Sequence, residues 1–207
     1  SALAILEGVN VQVVRCQPHY GSHPRGVFIE LVPALMAARG ALGVAPESLA
    51  HLALLTSHQD DRAHRPSDAL DDTTRAGTLL AAVRDLVDAV AGEAPLLVAV
   101  EDSHWADPTS LTELSALVAG APGRALLVVY TTRQLEPLMQ AGVLLHSSPV
   151  LRPKPLAEVP MKTLSGHLLP SIANGAARAS QDDVASWCAQ TAAGNPFYLQ
   201  VLCAHYE

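Results

Sequence analysis

Two uninterrupted apolar runs, Leu96-Leu-Val-Ala-Val100 and Ala125-Leu-Leu-Val-Val-Tyr130, constrain this chain more than any other feature. Strands this uniformly apolar are of the kind buried on both faces in a parallel sheet. Between them Asp107-Pro108 is a strong helix start: the aspartate caps free backbone amides, the proline sits preset at the first helical position, and Leu111, Leu114 and Leu117 line one face. Gly120 and Pro122 close that helix. Strand, helix, strand in this order is a βαβ crossover and implies parallel pairing.

Other elements extend the pattern. Val9 to Cys16 is rich in β-branched residues and reads as a strand, followed by a Pro- and Gly-punctuated loop from Gln17 to Gly26. A helix-like stretch starts at Val27 and is interrupted by Pro33, and Glu47 to Thr56 is a second short helix. Ser57 to Asp72 turns polar and reads as an exposed, mobile loop. Thr73 to Ala91 carries Leu79, Leu80, Val83, Leu86, Val87 and Val90 at spacings of three and four, the stripe of a helix laid on a sheet. Further on, Val143 to Leu151 is a candidate fourth strand and Leu156 to Leu168 a helix weakened by Pro160 and Gly166. A helix opening at Ser180 stops at Gly194, and a last one begins at Pro196. The opening residues, Ser1 to Glu7, read like the last turns of a helix cut in the middle.

Composition removes several function classes. The 207 residues are 16% charged with a net charge of −7, so a surface that neutralises a nucleic-acid backbone is not expected. No apolar run approaches the roughly 20 residues of a membrane span, and no basic leader precedes one. Three scattered cysteines without a CxxC fit a reducing, cytoplasmic setting better than a disulfide scaffold or a structural zinc site. Nine histidines show no HExxH spacing, no GxSxG elbow occurs, and Cys16 and His19 are too local to form a dyad unaided. The only lysines, Lys154 and Lys162, do not follow a glycine, so there is no GxxxxGK[ST] phosphate loop.

Ligands of open parallel sheets bind beyond the carboxyl ends of the strands, which here points to Glu101, Asp102 and Arg133. Paired carboxylates can hold a hard cation and orient a water, and an arginine at the same edge suits phosphate oxygens. Solvated strand-end acids are the plain alternative.

The run Leu96-Leu-Val-Ala-Val-Glu-Asp-Ser-His-Trp-Ala-Asp-Pro108 resembles the Walker B segment of the signal-transduction ATPases with numerous domains, the AAA-like STAND class of P-loop ATPases. Val14-Arg-Cys-Gln-Pro-His-Tyr20 resembles the strand and loop after that family's first helix. Val128-Val-Tyr-Thr-Thr-Arg133 resembles its sensor strand, and Gly194-Asn-Pro-Phe197 its GNPF motif. The closest flavour is the ATPase region beside class III nucleotide cyclase domains and in large LuxR-like activators.

The resemblance implies an α/β fold: a P-loop NTPase-like parallel sheet flanked by helices, with a small C-terminal helical lid. Residues 1–151 would form a partial nucleotide-binding core, and 152–207 the lid and the start of the following arm. Glu101 would take the magnesium-associated acid position, although a glutamate there departs from the usual aspartate. Asp102 would be the following acid, shared with the metal and activating the attacking water, and Arg133 would sense the γ-phosphate. Asn195 and Pro196 would lie near adenine and ribose. His104 and Trp105 would help place the acids.

ATP or ADP with Mg, and an intramolecular output domain, are the implied ligands and partner, in a cytoplasmic protein with no direct nucleic-acid or membrane contact. The family's first strand and phosphate loop are absent from these residues, so the isolated chain is expected to be inactive. Either it is a piece of a longer protein, which the helix-like Ser1 to Glu7 favours, or it has lost its loop. The rival class is a degenerate, non-catalytic NTPase-fold module that serves as a scaffold for a protein partner or for self-association, using the Asp60 to Asp72 loop and the last helix.

Overall fold

A computed structural model describes residues 8–18, 24–57, 69–119, 123–143, 149–169 and 177–205. The chain divides into two compact units, Ser1–Ser148 and Pro149–Glu207.

The first unit is built on a parallel sheet of order β1-β2-β3, with β1 Asn10–Arg15, β2 Leu96–Glu101 and β3 Leu126–Tyr130. Register is continuous: Val14 lies opposite Val100, Arg15 opposite Glu101, and Val100 opposite Tyr130. Helices α1 (Gly26–Met36), α2 (Pro46–Ser57), α3 (Ala69–Glu93), α4 (Pro108–Ala119) and α5 (Glu136–Gln140) complete the unit. The expected stripe of α3 is what it buries: Val83, Leu86, Val87 and Val90 join Phe28, Leu31 and Leu35 of α1 and Leu111, Leu114 and Leu117 of α4 in one core.

That core covers a single face of the sheet. Val14, Leu96, Val98 and Val100 are buried in it, with Leu126, Val128 and Tyr130 packed against it. The alternate residues face the other way, and Val13, Leu127 and Val129 are 52%, 60% and 41% exposed. Two-sided burial of the apolar strands is therefore corrected: among the described residues the helices supply one covering layer, and the second apolar face stays bare.

Several boundaries also move. α1 continues through Pro33 to Met36. The polar stretch read as a loop from Ser57 to Asp72 contributes Ser57 to α2 and residues 69–72 to α3, while 58–68 lie outside the described residues. Acidic residues suit the first turns of a helix, so polar composition does not by itself separate loop from helix start. The fourth strand is not found among the described residues: Val143 and residues 149–151 carry no strand, and 144–148 lie outside them.

The second unit packs α6 (Glu158–Leu168), α7 (Ala177–Thr191) and α8 (Pro196–Ala204) around Met161, Cys188, Leu199 and Cys203. Pro160 falls in the first turn of α6, where its missing N–H costs no helical bond. Gly194, at φ +81, is required by its surroundings: a Cβ there would meet the Leu156 carbonyl oxygen and Pro155 Cβ at 2.6 Å. Among the described residues no helix is long and apolar enough to cross a membrane.

Candidate functional site

The carboxyl ends of β1 and β2 place Arg15 beside Glu101. Arg15 donates from Nε at 2.9 Å and from Nη2 at 2.8 Å, both to Oε2 of Glu101. This hydrogen bond, reinforced by the charges of Glu101 and then Asp102, raises the guanidinium pKa further above its ordinary value. Strand alternation puts the pair on the same side as Val13 and Ala99, so it closes the carboxyl end of the bare face. The β1–β2 ladder continues there through the Cys16 amide, which donates to the Glu101 carbonyl at 2.9 Å.

Asp102 leaves the sheet in the left-handed region, φ 53 and ψ 41, and precedes a 3-10 turn over Ser103–Trp105 without capping it by its side chain. Aspartate tolerates this conformation better than most side chains. Thr131 fastens the turn: its Oγ1 accepts from the Asp102 amide at 3.0 Å, and its carbonyl accepts from the Ser103 amide and hydroxyl at 2.9 and 3.0 Å. All of these bonds use backbone or Ser103, so the Asp102 carboxylate takes no hydrogen bond among the described residues. The two adjacent acids thus differ, Glu101 being ion-paired and Asp102 open.

His104 and Trp105 stack at a tilt with centroids 5.0 Å apart. Trp105 is 43% exposed and so is not a core packing residue, whereas the buried His104 Nδ1 has no hydrogen-bond partner.

Asp107, buried at the head of α4, fulfils its capping role by accepting from the Ser110 amide at 2.8 Å and the Ser110 hydroxyl at 2.6 Å. It also accepts from the Arg25 and Gly26 amides at 3.0 Å each, and so caps α1 with the same carboxylate. Arg25 Nε meets Glu113 Oε1 of α4 at 2.9 Å and reinforces the junction.

Arg133 lies three residues beyond β3, past the same edge, and is exposed with no ion pair or hydrogen bond among the described residues. It sits inside a tight turn in which the Thr132 hydroxyl donates to the Gln134 carbonyl at 2.6 Å. Asn195 and Pro196 belong to the second unit. Asn195 Oδ1 accepts from the Phe197 and Tyr198 amides at 3.1 and 3.2 Å, and Pro196 occupies the first helical position, so both start α8. A groove of about 280 Å³ beside them is lined by Leu156, Glu158, Met161, Ala189, Gln190, Ala193 and Gly194. Another, of about 430 Å³, lies at the opposite, amino-terminal edge of the sheet among Val9, Pro95, Leu96 and Leu127 and is far from the acids in register.

The structure thus brings Glu101 and Asp102 together with Arg15 and Thr131, two residues that lie inside the quoted motif segments but are given no role there. Arg15 could have been found as a charged residue ending a β-branched strand, the same signal that singled out Glu101. Among the described residues no group of three or more His, Cys, Asp or Glu side chains is arranged to hold a metal ion. No family model, no curated protein and no solved structure matches the chain.

Proposed function

We propose that this chain is part of a regulatory ATPase switch of the P-loop type, in which a Mg-nucleotide bound over the carboxyl edge of the sheet controls an output domain. The observation that carries the proposal is the position of the acid pair. Glu101 and Asp102 end the central strand at the rim of an apolar sheet face that the described helices leave uncovered. Strands of this composition call for a second covering layer. A further strand, phosphate loop and helix, docked along the open edge of β3 and over Val13, Leu127 and Val129, would supply that layer. It would also bring phosphate-binding amides to the acids.

The donors present suit magnesium, which takes one or two carboxylates and completes its shell with phosphate oxygens and water. Asp102 offers a carboxylate free of hydrogen bonds, and Glu101 a second one once its ion pair opens. When bound, magnesium neutralises charge on the transferring phosphoryl group. Asp102 then orients the attacking water, and Arg133, uncommitted at the same edge, receives the γ-phosphate oxygens. Asn195 and Pro196, which start α8, are assigned to adenine and ribose by the family resemblance alone, in a cytoplasmic protein.

The Arg15–Glu101 pair favours a second reading, a non-catalytic NTPase-fold scaffold in which a structural ion pair has replaced metal binding. Calorimetric titration of Mg-ATP and Mg-ADP into the 207-residue chain, with melting temperature followed in parallel, tests the proposal. Absent the loop amides and lysine, binding is expected to be weak or undetectable and turnover nil. Micromolar binding or measurable hydrolysis by this chain alone would overturn the assignment of the phosphate cradle to another element.

A further inference from the structure

The groove of about 430 Å³ at the amino-terminal edge of the sheet takes no part in the candidate site. Val9, Pro95, Leu97 and Leu127 give it apolar walls, and Leu97 and Leu127, opposite each other in register, carry it onto the bare face. Its charged lining residue, Arg124, gives Nε and Nη2 to Asp88 and keeps a buried Nη1 with no hydrogen-bond partner. A buried N–H in that state calls for an acceptor. The chain enters β1 from this same edge, where the Asn10 amide donates to the Pro95 carbonyl at 2.8 Å. Two residues earlier Gly8 stands at φ +80 with nothing within 4 Å of its Cβ position, so crowding does not impose the left-handed conformation. A left-handed glycine is the usual residue just past the end of a helix. Ser1 to Glu7, which lie outside the described residues, precede it with a sequence in which Leu3, Leu6 and Glu7 recur at helical spacings of three and four.

We propose that residues 1–7 of this chain dock in the amino-edge groove, Leu3 and Leu6 against Leu97 and Leu127, with the Glu7 carboxylate accepting from Arg124 Nη1. The chain's own amino-terminal segment would then begin the layer that the bare face lacks. Leu3, Leu6 and Glu7 fall on one side of a helix and match what the groove offers, apolar walls and a single cationic donor. Only Gly8 and Val9 separate the segment from β1, and Val9 itself lines the groove, so the segment is held beside its seat at a high effective concentration that no separate partner has. The inference uses the groove and the bare face, not the acids or a nucleotide, so its failure and the failure of the ATPase reading are separate results.

The test pairs Leu6→Cys with Leu127→Cys in the whole 207-residue chain and follows bridging by a short-spacer bis-maleimide, the native cysteines being buried. The control pairs Leu6→Cys with Met36→Cys, a position 40% exposed on α1, which packs on the covered face. The bridge to position 127 is expected to form at least about tenfold faster than the bridge to position 36. Glu7→Arg sets a second cation against Arg124 and should slow the first bridge about tenfold, whereas Glu7→Gln, which still offers an acceptor, should slow it less. Equal rates for the two pairs, or an unchanged rate with Glu7→Arg, would overturn the proposal. So would bridges that join two chains, which would give the groove to a second copy. Thermal melts before cross-linking show whether each variant is folded.

Discussion

The carboxylate of Asp107 accepts a hydrogen bond at 3.0 Å from the backbone amide of Gly26, which lies 81 residues earlier in the chain. One buried side chain thereby terminates two helices, because its other bonds go to Arg25 and Ser110. Asp107→Ala leaves several buried N–H groups without partners and is expected to cost about 3 kcal/mol, more than a single helix cap. Asp107→Asn, which retains an acceptor, should cost less. Urea denaturation of the three chains measures the difference, and a loss below about 1 kcal/mol for the alanine variant would contradict the double cap.

Asp102 occupies the left-handed region, where most side chains are strained. Asp102→Gly is therefore expected to leave stability unchanged or raise it by up to about 1 kcal/mol, whereas Asp102→Val should lower it by about 2 kcal/mol. Chemical denaturation separates the two. Such a pattern would identify Asp102 as a residue kept for something other than folding.

Gly194 has no room for a methyl group and sits at positive φ. Gly194→Ala should destabilise the second unit by at least about 2 kcal/mol and leave the first unaffected. Hydrogen exchange reads this unit by unit: faster exchange is expected in α6 to α8, with β1 to β3 unchanged.

Burial, with the charges of Glu30, Asp107 and Asp102 adding to it, pushes the Cys16 thiol from 9.0 up to about 12. A proton held more tightly in the folded state contributes stability that is complete below the unfolded value and is lost as pH rises from about 9 through about 12. Melting temperature should fall across that window, and Cys16→Ala should make the fall shallower. Parallel slopes for the two chains would contradict the assignment.

The three strands, the parallel pairing of β2 with β3 and the α4 cap were legible because each rests on local chemistry: aliphatic runs, and Asp107-Pro108 at a helix start. The start of α3 was not, since the two apolar residues that open it, Ala69 and Leu70, are followed by Asp71-Asp-Thr-Thr74, which is as polar as a loop. Two-sided burial of Leu97, Leu127 and Val129 was inferred from composition, and among the described residues one side is uncovered. The strands encode a layer that these helices do not provide. At the candidate site, Glu101, Asp102 and Arg133 were legible as residues leaving strands at one edge. The Arg15–Glu101 pair depends on register between segments 86 residues apart, and the link from Asp107 to α1 on a contact of similar reach; spacing along the chain reveals neither.

The claim that the acid pair serves a Mg-nucleotide is tested most directly by comparing ATP turnover and nucleotide affinity of wild type and Asp102→Ala in the longer protein proposed to contain this chain. Loss of hydrolysis with nucleotide binding retained is the predicted result, because Asp102 acts on the attacking water while the phosphates are held elsewhere. Equal turnover in the two proteins would contradict it.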